Sequence, residues 1–127
     1  MFEEDYIIRQ IKECVAAAMK LVFNIDTPTR ASLIIKSEEK QKKLTGLLKT
    51  SDEGRIREAV EELHRAAKDR TFDDLLMGMD FYTHLCEIDD DKLAAENMKY
   101  SDIKADMSAF FHDFGLAELA DLILFEG

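Results

Sequence analysis

Three observations predict an all-α fold for this chain. Apolar residues recur at helical spacing along most of its length. The segments so marked are separated by short turn and capping signals, and no alternating run is long enough to build a sheet. At 127 residues the chain is one domain's worth. A chain of this size buries enough surface to need neither disulfides nor a structural metal. The expectation is a single domain over residues 1–127 of about six to seven antiparallel helices, as a bundle or as stacked helical hairpins.

The first helix is expected from Asp5 to Asn24. Ile7, Ile11, Cys14, Ala18 and Leu21 form one stripe, with Ile8, Val15, Met19 and Val22 beside it. A helix apolar over so much of its circumference is packed on several sides, which predicts a central position. Asp26-Thr27-Pro28-Thr29 supplies turn chemistry. The second helix then begins either near Thr29 or only at Ser37, because Leu33, Ile34 and Ile35 precede the charged stretch Lys36 to Lys43.

Thr50-Ser51-Asp52-Glu53 has the form of a capping box, followed by a narrow seam of Ile56, Val60, Leu63 and Ala67. Thr71 is expected to cap a fourth helix, with Asp73 and Asp74 at the positive end of its dipole. Phe72, Leu75, Leu76, Met79, Tyr82 and Cys86 would form its buried face, widened by Phe81, Leu85 and Ile88. Asp89-Asp90-Asp91 leads into a short helix, and Ser101 is expected to cap another carrying Ile103, Met107, Phe110 and Phe114. Gly115 suits a C′ position, and a last helix runs from Leu116 to Phe125.

Cys14 and Cys86 fall inside apolar patterns and read as small buried hydrophobes. The N-terminus is acidic where a secretory signal would be basic. The longest apolar run, Cys14 to Met19, is far shorter than the roughly 20 residues that span a bilayer. A cytoplasmic protein with reduced thiols is expected, without membrane contact. The net charge of −10 is unevenly spread. Residues 1–50 carry nine Lys and Arg against seven Asp and Glu, whereas residues 71–127 carry three against fourteen. Such acidity repels nucleic acid and anionic lipid at long range.

Asp5-Tyr6-Ile7-Ile8-Arg9-Gln10-Ile11, Gly54 to Leu63, Asp80 to Leu85 and Phe114-Gly115-Leu116 together resemble a family of uncharacterised small helical proteins from Firmicute bacteria. The resemblance covers roughly residues 1–24 and 52–116. It implies a cytosolic helical fold with tetratricopeptide-like hairpins and no assigned activity or site residues. Met77-Gly78-Met79-Asp80-Phe81 mimics the core of that repeat's first helix, but no second copy follows at a 34-residue period.

Candidate chemistry is sparse. Glu61-x-x-His64 has the i, i+3 spacing of a di-iron carboxylate bundle, but a second such pair is missing: Phe81 and Ala109 stand three before His84 and His112. Asp80 and His84 lie one helical turn apart and could hydrogen-bond. Glu87 to Asp91 resembles part of a calcium loop but lacks its glycine and its bidentate glutamate. Lys36, Lys40, Lys42, Lys43 and Lys49 form the basic cluster, with no aromatic to stack on bases, so nucleic acid is not the expected partner. No phosphate loop, nucleophile elbow or paired-cysteine motif occurs.

The preferred reading is therefore a non-catalytic interaction or scaffolding module without a cofactor, binding a protein partner or a second copy as a homodimer. Phe110, Phe111, Phe114, Leu122 and Phe125 are its candidate contact residues, set against the alternative that these aromatics fill the core. The competing class, a metal or small-molecule binder or a small enzyme, requires Glu61, His64, Asp80 and His84 to converge in a cleft. A third, RNA association, would use Lys36 to Lys49.

Overall fold

A computed structural model describes residues 2–125. It contains seven α-helices and, among the described residues, no strand: α1 (Phe2–Phe23), α2 (Glu38–Asp52), α3 (Ile56–Ala66), α4 (Phe72–Leu85), α5 (Asp90–Ala95), α6 (Tyr100–Asp113) and α7 (Ala117–Leu124). A 3₁₀ turn, Ala31–Ile34, interrupts the connection from α1 to α2.

The helix ends follow backbone chemistry. Asn24, with φ 57°, closes α1 through a bond from its N–H to the Lys20 carbonyl. Ser37, the later of the two expected starts, caps α2 by accepting the Lys40 N–H. The expected capping box at Thr50 does not form. Residues 50–52 are the last turn of α2, which ends in a Schellman motif: the Gly54 N–H reaches Ser51 and the Arg55 N–H reaches Thr50. Gly54 at φ 90° permits this closure, and the stop signal overrides the start signal. Thr71 caps α4 as expected, and Asp74 completes a reciprocal box with it. At α6 the cap is not Ser101; the Asp102 carboxylate accepts the Lys99 N–H instead. Gly115, at φ 75°, takes the expected C′ position of α6.

The central element is α4, not α1. Leu75, Leu76, Met77, Met79, Phe81, Tyr82 and Leu85 are all buried, and so are Asp74 and Asp80. α1, α2, α6 and the 3₁₀ turn all pack against it. α1 stays at the side because Glu13, Ala16, Lys20 and Leu21 remain exposed, so one broad face is buried against α4, α6 and α7. Cross-helix pairs set the directions. Lys40 to Ala66 with Lys43 to Glu62 shows α2 and α3 antiparallel, and Lys104 to Phe125 with His112 to Asp121 does the same for α6 and α7. Lys40 to Asp74 and His84 to Asp52 make α2 and α4 parallel.

Close approach of α6 to α4 depends on Gly78. A Cβ there would lie 2.2 Å from the Phe110 ring, so the ring occupies the space a side chain would need. This contact joins α4 to α6, not to the helix that follows it in sequence.

Candidate functional site

At one end of the molecule the C-terminus of α1, the 3₁₀ turn and the first turn of α4 enclose an apolar groove of about 630 Å³. Val22, Phe23, Ile25 and Ile34 line it with Phe72 and Leu76, and Lys36, Thr71 and Asp73 form the rim. Phe72 is 70% exposed, although its sequence position placed it on the buried face of α4. It is the first residue of that helix, and helical side chains lean toward the N-terminus. The ring thus projects past the core and meets Phe23 edge-on, with centroids 5.8 Å apart. Leu33, in the adjoining 3₁₀ turn, is 74% exposed.

Carboxylates of α4 hold the groove's outer wall. Asp73 accepts the backbone N–H groups of Lys36 and Ser37 at 3.1 and 2.9 Å. One heptad further on, the buried Asp80 accepts the Ser32 N–H at 2.9 Å and an Arg30 guanidinium N–H at 2.6 Å. Gln41 donates to the Ser32 and Ile35 carbonyls. Side chains thereby satisfy a backbone that has few regular partners. Lys40 reaches the buried Asp74 at 2.8 Å, as an ion pair rather than an aligned hydrogen bond, and donates to the Ala66 carbonyl at 2.7 Å.

The second polar cluster joins α3, α4 and α6. The Tyr82 hydroxyl, fully buried, donates to Asp106, whose two oxygens each lie 3.1 Å from His64 Nε2. The hydrogen bond to Asp106 raises the His64 pKa, against the opposing effect of burial. Burial foremost, aided by Asp106, holds the Tyr82 hydroxyl well above its ordinary value. The His64 ring also meets Phe110 edge-on at 5.8 Å. The cluster buttresses three helices.

The residues singled out from sequence are dispersed by the fold. Glu61 is exposed. His64 bonds Asp106, Asp80 bonds Arg30 and Ser32, and His84 bonds Asp52 at 2.7 Å. No hydrogen bond or ion pair joins any two of the four, and Asp80 and His84 do not pair. Among the described residues, no group of three or more His, Cys, Asp or Glu side chains could hold a metal ion. Burial pushes the Cys14 thiol up to about 12 and Cys86 to about 11, which favours the protonated thiol over the nucleophilic thiolate.

Of the apolar candidates, Phe110 and Phe111 are core residues and Phe114 packs partly buried against them. Leu122 on α7 and Phe125 at its C-cap stay 67% and 55% exposed. In the basic cluster Lys40 and Lys43 are engaged by Asp74 and Glu62, while Lys36, Lys42 and Lys49 are exposed.

Asp106 and Arg30 were missed. Asp106 stands at i+3 from Ile103 and four before Phe110, a lone acid inside an apolar stripe, and that interruption was the available signal. Arg30 had none, since its partner lies 50 residues away.

The molecule is thus a helical domain with an open apolar groove and two internal carboxylate clusters. The chain belongs to a family of unknown function, DUF6483, whose model matches residues 1–115. That match includes the groove and both clusters and stops before α7. No curated protein and no solved structure matches the chain significantly. No helix among the described residues is long and apolar enough to cross a membrane.

Proposed function

We propose that this chain is a non-catalytic protein-interaction module of the bacterial cytoplasm whose groove receives an apolar, acid-flanked helical segment of a partner protein. The observation that carries this reading is Phe72, a large ring left open to solvent beside Phe23, Ile34 and Leu76 in a concave apolar site. Amphipathic helices dock in grooves of this kind through two or three anchors at i, i+3 and i+4 spacing. Lys36 stands at the rim as an exposed cation with no ion pair among the described residues, which favours acids flanking the apolar anchors.

The test is a photo-crosslinker, p-benzoylphenylalanine, placed at Lys36 in cells that make the protein. A discrete crosslinked adduct is expected, and Phe72→Asp in the same chain should abolish it. An adduct pattern unchanged by Phe72→Asp, or no adduct at all, would remove the groove as a docking site.

A further inference from the structure

We infer that the segment filling the groove is α7 of a second copy of this chain; this rests on the groove being a docking site. The outward face of α7 carries Glu118, Asp121 and Leu122, the i, i+3 and i+4 positions of one helical stripe, and the exposed Phe125 follows directly as its C-cap. Its two apolar members are among the few large hydrophobic side chains that the fold leaves exposed. They sit one turn apart, the spacing of a two-anchor helix. The groove's volume of about 630 Å³ lies within the size range of small-molecule pockets.

Charge favours the same match. Glu118 and Asp121 lie one turn before the two anchors, and α7 has no basic residue. Asp121 already touches His112 at 3.1 Å, while Glu118 is exposed. The groove presents the exposed Lys36 as its cation, while its one acid, Asp73, is turned to the Lys36 and Ser37 backbone N–H groups and keeps its charge. Phe125 keeps one ring face against the Lys104 ammonium, 4.9 Å from the ring centroid, and is still more than half open to a partner.

One groove with two anchors falls short of the roughly 800 Å² per partner that a stable interface buries. A reciprocal pair, in which each copy donates α7 and receives α7, doubles the contact and closes on itself. Both partners of the contact are solvent-exposed in one copy, so substitutions there leave the core intact.

Analytical ultracentrifugation of the full chain tests this. The unsubstituted chain should form dimers, and Phe72→Asp or Leu122→Asp alone should weaken dimerisation about tenfold or more. An equimolar mixture of the two variants retains one intact contact, so it should dimerise more strongly than either variant alone. Circular dichroism should stay unchanged in both. A monomer at every concentration, a dimer indifferent to Leu122→Asp, or a ladder of masses above the dimer would each overturn the reciprocal pair. The Lys36 crosslink separates the two levels. An adduct of dimer mass supports self-pairing. An adduct of another mass, lost with Phe72→Asp, keeps the docking site but refutes the second copy as its occupant. No adduct refutes both.

Discussion

On one side of α4, residues 30–37 are held by carboxylates and an amide that bind their backbone: Asp73, Asp80 and Gln41. On the other side, α6 is held by ring packing around Gly78, with a single hydrogen-bonded carboxylate, Asp106, at the edge. The first arrangement fixes a 3₁₀ turn and its flanks by side-chain bonds to the backbone, with Ala31 and Ile35 seated in the core. The second is part of the continuous core, so disturbing it affects the whole domain. The groove sits on the polar side, where Ile34 and Lys36 belong to the held segment. Phe72, the exposed member of the groove lining, can be altered without opening the core.

The largest expected effect breaks the apolar side. Phe110→Ala should cost about 3–5 kcal/mol in urea unfolding, through lost burial and the cavity left behind. Gly78→Ala should cost about 2 kcal/mol, because its new methyl group would overlap the Phe110 ring. In the Phe110→Ala background that penalty should vanish, leaving the modest helix preference of alanine over glycine. If the two costs simply add, the close approach at Gly78 is not the reason for the glycine.

On the polar side, Asp80→Ala should cost about 1.5–2 kcal/mol, the low end of the roughly 1.5–3 kcal/mol typical of hydrogen bonds to a charged group. Arg30 is already half-exposed and regains water, which limits the loss. Hydrogen exchange provides the sharper reading. The Ser32 amide should lose protection in this variant while α6 amides change only with global stability. Equal losses at both places would show that the segment and the core open together.

Tyr82→Phe removes one donor to Asp106 and should cost about 1 kcal/mol. His64 gives a smaller, pH-dependent difference. Its folded pKa is raised, chiefly by the hydrogen bond to Asp106. Its contribution is therefore fully present below the unfolded value of about 6.5 and lost as pH rises through the folded value. The stability difference between the unsubstituted chain and His64→Gln should shrink across that window. A difference that stays constant or grows with pH would contradict a protonated imidazole paired with Asp106.

Much of the helix pattern was legible because it depends on spacing within one element. The stripe of Ile103, Met107 and Phe110 is buried as its period requires. The Thr71 box and the Gly115 closure follow from chemistry within a few residues. The reading failed where two local signals competed, as at Thr50 to Gly54, and where burial depended on an element's neighbours. Phe72 and Phe110 look alike on helical projections, but one ends exposed and the other in the core.

The sequence by itself determined the all-helical class, most helix boundaries and the burial of both cysteines, because hydrophobic period and capping are local properties. Only the tertiary structure decided that α4 is central, that Asp80 and Asp106 are structural anchors, and that Phe72 opens a groove. The partners of Asp80 and Asp106 lie 24 to 50 residues away. Whether an aromatic ring is covered depends on where neighbouring helices end.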